Sequence, residues 1–288
     1  LKISRLDIKK KVDYKALVDA LRRGFSGREH QVPERSHLEL PNNNLALLMP
    51  AWNNSYYGLK QIIACPDNSA QGLPTIQGTY NLFDVQNGRH LAELEATKLT
   101  AVRTAATSVL ASSFFVQKPE RHLILGDGVI GKHLAEAYTA YYEIQNTVIW
   151  SRSTQETIDL EKEIARADII SCATHAYQPI LHGNHLQGRT HIDLVGSYKI
   201  EMREADDDVI TKSEIYIDDW PAVKESGDLA LPIRNGIIST QDIRGTLFDL
   251  CKGAIKPNMS DNPTLFKSVG HAIEDLVAAI YFYELYRA

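Results

Sequence analysis

The sequence predicts an α/β chain in which a parallel, doubly wound sheet follows a separate α+β unit. Three observations predict it. From residue 122 onward, short apolar runs alternate with helical patterns, the rhythm of a parallel sheet covered on both faces. The stretch HLILGDGVIGKHLAEAY (122–138) sets Gly126, Gly128 and Gly131 between an apolar strand and a helix, which is G-x-G-x-x-G in strand–turn–helix context. Before residue 115 the strands are joined by a turn signal, Asn87-Gly88, so that part reads as antiparallel.

In chain order, residues 14–25 (YKALVDALRRGF) have helical periodicity, with Leu17, Leu21 and Phe25 on one side. Residues 45–50 and 58–64 read as buried strands, the second ended by Pro66 and PDNSAQG. Residues 79–95 form a hairpin. A helix rich in alanine, threonine and serine covers 96–114 and is broken by QKPER at 117–121. Strand 122–125, helix 129–142, strand 147–150 and helix 155–166 follow, then strands at 168–172, 190–195 and 215–218. The last stretch, 263–287, is a long helical pattern opened by Pro263.

Composition narrows the function. The 288 residues suit one large or two medium domains. A hydrophobic share of 44% with 23% charged is ordinary for a globular protein. A net charge of −5 supplies no basic field for nucleic acid. No apolar run reaches the length of a membrane span, and LKISRLDIKKKVDY lacks the apolar core of a signal peptide. Cys65, Cys172 and Cys251 are too widely spaced for a disulfide framework or a CxxC site, so they read as free thiols of a cytoplasmic protein. The ten histidines have no metal-ligand spacing, and no metal is expected.

The glycine loop points to a dinucleotide. The first glycine permits the tight turn, the second lets backbone approach a pyrophosphate and the third lets helix and strand pack closely. Val129 and Ile130 complete the loop, and the helix N-terminus offers its unpaired N–H groups. A tight turn that binds nothing remains the other reading. About 20 residues on, where a carboxylate would bind a ribose 2′-hydroxyl, the chain has Ser151, Arg152 and Ser153. A guanidinium and two hydroxyls suit a 2′-phosphate, hence NADPH, with NADH weaker. Arg152 also reads as a solvated surface arginine. Lys60 lies in the apolar strand GLKQIIA, where a lysine is costly unless paired or used; snorkelling to water is its alternative. Arg103 lies in a helix of small residues, where it can hold a carboxylate bidentately or form a structural ion pair. Arg35 is a weaker candidate of the same kind.

Several segments together resemble the ornithine cyclodeaminase/μ-crystallin family: PER (33–35), LLMPA (47–51), GLK (58–60), PDN (66–68), LTAVRTAATS (99–108), GDGVIG (126–131), HIDLVGS (191–197) and TLFKSVGHAIEDLVAA (264–279). The resemblance implies an NAD(P)-binding Rossmann domain (115–259) inserted in an α+β substrate-binding and dimerisation domain (1–114 plus 260–288), with substrate between them. It implies that Arg35, Lys60 and Arg103 clamp the substrate carboxylate, with Lys60 the catalytic residue beside the reacting imine. Thr104 would contact the cofactor, Thr174 would pack near the nicotinamide, and Ser268, Val269 and Gly270 would close over it. A homodimer is expected.

Two positions depart from the family pattern. Gly131 stands where alanine is usual, which is harmless. Tyr198 stands where the cyclodeaminases carry a catalytic aspartate, and a phenol is a poor base at neutral pH. The expected activity is therefore NADPH-dependent reduction of a cyclic ketimine carboxylate, Δ1-pyrroline-2-carboxylate or Δ1-piperideine-2-carboxylate, to L-proline or L-pipecolate. The alternatives are ornithine cyclodeamination, an open-chain alanine or opine-type dehydrogenase, and a non-catalytic NADPH-binding protein.

Overall fold

The computed structural model describes residues 1–27, 29–257 and 260–287. They form two compact units, Leu1–Arg103 with Ala272–Ala288, and Thr104–His271. The first unit opens with β1 (Lys2–Ile3), α1 (Arg5–Lys11) and α2 (Tyr14–Ser26). Asp13 caps α2 by accepting from the Ala16 N–H, which satisfies one of the orphan donors of the first turn. Strands β2 (Ser36–Leu40), β3 (Asn44–Trp52), β4 (Tyr56–Ala64), β5 (Ile76–Asp84) and β6 (His90–Glu95) follow. Among the described residues they make a six-stranded sheet in the order β1-β6-β5-β4-β3-β2. Strands β2 to β6 pair antiparallel in succession, β1 pairs parallel with β6, and β5 turns into β6 through Gly88 at φ 72°.

Helix α3 (Ala96–Ser112) leads into the second unit: β7 (Arg121–Leu125), α4 (Val129–Tyr142), β8 (Asn146–Trp150), α5 (Leu160–Arg166), β9 (Ile169–Cys172), β10 (His191–Leu194), α6 (Asp207–Lys212), β11 (Glu214–Ile217), α7 (Ala222–Glu225), α8 (Gly227–Arg234), β12 (Ile243–Thr246), α9 (Leu247–Cys251) and β13 (Thr264–Lys267). The strands form an all-parallel sheet in the order β12-β11-β13-β10-β9-β7-β8. Leu123, Leu125, Ile170, Cys172, Ile192, Leu194, Ile215, Ile217 and Leu265 form its buried core. The chain runs from β7 out to the edge at β8, then returns to β9 on the other side of β7. That reversal is a switch point, where open α/β sheets bind ligands outside the carboxyl ends of their strands.

The chain then re-enters the first unit as α10 (Ala272–Arg287), which packs on α2 and on strands β3 to β5. Gly24 of α2 permits that approach, because a Cβ there would lie 2.5 Å from Val277 Cγ2. Among the described residues no helix is long and apolar enough to cross a membrane.

The structure corrects two elements. The single helix expected over 263–287 is a strand followed by a helix. Residues 264–267 pair on both sides, with β10 and β11, and Gly270 at φ 83° separates them from α10. The helix expected over 155–166 begins only at Leu160. Thr154 Oγ1 accepts from the Ser151 N–H at 2.9 Å and holds a turn, and Asp159 caps the helix. The units also divide at other residues than 115 and 259. Phe115 packs on His191 and Tyr216, which draws the end of α3 into the second unit, and β13 takes residues 264–267 with it.

Candidate active site

In the second unit, the predicted cofactor residues other than Thr104 lie on α4's first turns or follow the carboxyl ends of parallel strands. Gly126 follows β7 with φ 115°, and a Cβ there would lie 2.5 Å from the Ala173 carbonyl oxygen. A Cβ at Gly131 would lie 2.0 Å from the Gly126 carbonyl oxygen, so the helix can sit this close to the turn only as glycine. A Cβ at Gly128 would meet no atom within 4 Å. Gly128 caps α4 without a side-chain hydrogen bond, which leaves the first-turn N–H groups facing an open cradle, as a pyrophosphate requires. Val129 is exposed and Ile130 half-buried. After β8, Ser151 is buried and bonded to Ser153 Oγ at 2.8 Å, while Arg152 and Ser153 are exposed. Thr104 is buried on α3.

Two carboxylates that sequence reasoning missed fix the remaining loops. Asp218, buried at the end of β11, accepts from Ser268 Oγ at 2.9 Å and from the Val269 and Gly270 N–H groups at 2.8 Å each. It therefore holds the turn expected to close over the nicotinamide. Glu204, also buried, accepts from Thr174 N and Oγ1. Tyr198 is 46% exposed, with the Lys199 ammonium 5.8 Å from its ring centre.

In the first unit, Lys60 on β4 and Arg103 on α3 meet over the start of α10. Lys60 Nζ lies 2.6 Å from Asp275 Oδ2, Arg103 Nε 3.0 Å from Asp275 Oδ1, and Arg103 Nη1 2.6 Å from Glu274 Oε2. All four side chains are buried. Such pairs are stable only where the geometry is good, because both charges lose their water. Burial pushes the Lys60 ammonium down to about 8; Asp275 opposes the shift, and Arg103 and Arg35 add to it. Burial would raise Asp275, but Arg103 and Lys60 outweigh it and hold its carboxyl below the usual range. Arg35, half-buried just before β2, is thus close enough for its charge to act on Lys60. Tyr80, directly opposite Lys60 on β5, is fully buried, and its Oη has no hydrogen-bond partner among the described residues. Gly58 makes room for it: a Cβ there would lie 1.9 Å from Tyr80 Oη.

The structure joins Lys60 and Arg103 through Asp275, sets the charge of Arg35 near Lys60, and adds Glu274 and Tyr80. The signal for the two carboxylates was present in the sequence, as an adjacent Glu-Asp inside the apolar run AIEDLVAA.

A parallel sheet with a glycine-loop switch point, joined to an antiparallel unit that buries paired cations and carboxylates, defines a two-unit α/β protein with a Rossmann-like sheet. The chain belongs to the ornithine cyclodeaminase/mu-crystallin family, whose model matches residues 3–288. Protein SAR DEFICIENT 4 of Arabidopsis thaliana is 34% identical over 282 residues, 88% of this chain and 87% of that protein. The Delta(1)-pyrroline-2-carboxylate reductase of Paracoccus denitrificans is 34% identical over 293 residues, 94% of this chain and 92% of that protein. Among solved structures, Thermococcus litoralis Delta(1)-pyrroline-2-carboxylate reductase in complex with NADH and L-proline matches with a TM-score of 0.89 at 28% identity. That match covers 99% of this chain and 96% of the other.

Proposed function

We propose that the protein is an NAD(P)H-dependent oxidoreductase acting on C–N bonds, which reduces Δ1-pyrroline-2-carboxylate or its six-membered homologue to L-proline or L-pipecolate. The observation that carries this reading is Lys60, a buried ammonium pushed down to about 8 beside a carboxylate that keeps its charge. A cyclic imine becomes electrophilic at carbon when its nitrogen is protonated. Lys60 is protonated at neutral pH, yet close enough to neutrality to give the proton up. Arg35 and Arg103 supply positive charge for the substrate carboxylate, and the unpartnered Tyr80 hydroxyl is a further donor facing the same cluster. A reduced nicotinamide, when bound, supplies the hydride. The relative from Thermococcus supports this reading, since its structure pairs NADH with L-proline.

The glycine loop and the α4 N-terminus would hold the pyrophosphate, with Ser151, Arg152 and Ser153 on a 2′-phosphate, so NADPH is the preferred cofactor. Thr104, Thr174 and the Ser268–Gly270 turn would flank the nicotinamide. Cyclodeamination is disfavoured because Tyr198 replaces the aspartate, and the carboxylates of Glu204 and Asp228 are already bound to loop donors. A homodimer is proposed through the antiparallel sheet, whose edge strand β2 is exposed along its whole length and carries Leu38 and Leu40. Light scattering in solution would measure the dimer.

The test of function is loss of reduced-nicotinamide absorbance with Δ1-pyrroline-2-carboxylate, run beside ornithine with an ammonia assay. Rapid oxidation with the imine and no ammonia from ornithine is expected. Ammonia from ornithine without net cofactor turnover would replace this reading with cyclodeamination.

A further inference from the structure

Three ionisable side chains of the second unit take no part in the chemistry above. Glu204, Asp228 and Lys267 are each at most 1% exposed. The two oxygens of Glu204 serve different loops. Oε1 accepts from the Thr174 N–H and Oγ1 at 2.8 Å each, after β9. Oε2 accepts from the Gly196 N–H at 2.7 Å and the Ser197 N–H at 3.0 Å, after β10. The loops are pressed together around this carboxyl, since a Cβ at Gly196 would lie 2.2 Å from the Thr174 carbonyl oxygen and 2.4 Å from Glu204 Oε1.

Behind Glu204 stands a second tier. Its own N–H donates to Asp228 Oδ1 at 2.7 Å. Asp228 Oδ2 accepts from Ser197 Oγ at 2.7 Å and from Lys267 Nζ at 3.2 Å. Lys267 Nζ also donates to the Ser197 carbonyl at 2.7 Å, and Lys267 immediately precedes the Ser268–Gly270 turn. Three strand ends, those of β9, β10 and β13, therefore meet through one acidic pair and one ammonium. A carboxylate is a costly way to join loops in a dry interior. It is also the one side chain that accepts four converging hydrogen bonds.

We propose that Glu204 is a positioning residue for the nicotinamide half of the cofactor: by tying the β9 and β10 loops to one carboxyl group it sets the surface on which the ring rests, without touching it. The inference rests on the reading above that Thr174 and Ser268–Gly270 flank the ring. Sheet order supports the same division of the crevice. The pyrophosphate cradle follows β7 and the ribose-reading residues follow β8, so the other half of a dinucleotide extends over β9, β10 and β13, on the far side of the switch point.

The test compares wild type with Glu204→Gln, which keeps one acceptor oxygen but turns an NH2 group toward the other pair of donors. Two quantities are measured. One is amide hydrogen exchange in cofactor-free protein over residues 173–176 and 195–198. The other is calorimetric affinity for NADH and for ADP-ribose, which lacks the nicotinamide. In the variant, exchange in at least one loop should rise about tenfold, NADH affinity should fall about tenfold and ADP-ribose affinity should stay within about twofold. Thr174→Val, which removes the Oγ1 bond to Glu204 and the weaker one that Oγ1 accepts from the Ala176 N–H at 3.3 Å, should shift the NADH-to-ADP-ribose ratio the same way by about threefold, and it serves if Glu204→Gln does not fold. Equal losses for both ligands, or an unchanged ratio, would overturn the proposal. A wild-type protein that holds ADP-ribose as tightly as NADH would overturn the nicotinamide reading as well. A wild-type preference for NADH that survives in both variants would overturn the proposal alone.

Discussion

Each unit buries a cluster in which lysine faces carboxylates, and the two clusters yield their protons from opposite partners. In the first, Lys60 and Arg103 face Asp275 and Glu274, with the charge of Arg35 nearby. In the second, Lys267 alone faces Asp228, with Glu204 hydrogen-bonded behind it. In both clusters burial is the largest cause of the shift, and the neighbouring charges add to it or oppose it. In the first, burial pushes Lys60 down to about 8, with Asp275 opposing and Arg103 and Arg35 adding to the shift. In the second, burial and then Asp228 push Glu204 up to about 7, with Lys267 opposing. The first arrangement suits a proton held for transfer, and the second suits a carboxyl group held for its acceptors.

Removing the shared carboxylate of the first cluster should have the largest effect. Asp275→Asn leaves Lys60 and Arg103 with Glu274 alone, and breaking a buried pair in this way costs about 3–5 kcal/mol. Denaturant unfolding should show that loss. A loss below about 1 kcal/mol, the worth of a solvated pair, would mean that the cluster is not dry and would break the comparison.

The second cluster predicts a pH dependence of stability. A carboxyl group with a higher pKa in the folded state than in the unfolded one binds its proton more tightly on folding. Its contribution is fully present below the ordinary value of 4.5 and is lost as pH rises to about 7. Wild-type stability should therefore fall across that window by up to roughly 3 kcal/mol relative to Glu204→Gln. Parallel curves for the two proteins would assign the titration elsewhere.

The first cluster predicts a pH dependence of rate. If Lys60 supplies the proton, kcat/KM for the imine should fall above pH about 8, the value to which burial lowers Lys60. Lys60→Arg should lower kcat/KM roughly a hundredfold or more and abolish that fall, because a guanidinium keeps its charge but does not give up its proton. An unchanged profile would remove Lys60 from proton transfer. The smallest effect is expected at the exposed Arg152. Arg152→Ala should weaken NADPH about tenfold and NADH by no more than about twofold. Equal losses would count against a 2′-phosphate contact.

The sequence exposed the parts of the molecule that depend on local chemistry. The glycine loop was legible because each glycine answers a local steric demand, as Gly126 and Gly131 do. Lys60 and Arg103 were legible as charges inside apolar or small-residue runs. Their pairing with Glu274 and Asp275 was not, although the Glu-Asp in AIEDLVAA was visible, because these lie about 170 or more residues away and only the return of α10 brings them into contact. Lys267 carries the same signal as Lys60, a lysine in the apolar run TLFK, but that run borders a helix and its period fits a helix as well as a strand. Four residues are too few for periodicity to separate strand from helix; pairing with β10 and β11 decided it. Glu204 and Asp228 were invisible because they act by accepting backbone N–H groups, and any sequence supplies those.

The place of β13 has a consequence for how the chain assembles. It is the last strand of its sheet in sequence, yet it lies inside the sheet, with β10 on one side and β11 on the other. On a ribosome, every earlier strand emerges before residues 264–267 do. Until then β10 and β11 present open edges that no native neighbour covers, and such edges invite pairing with other chains. Contacts between strands so far apart in sequence also form slowly. A nascent chain halted before Thr264 should therefore accumulate as aggregate-prone halves of a sheet, and completion of four residues should close it.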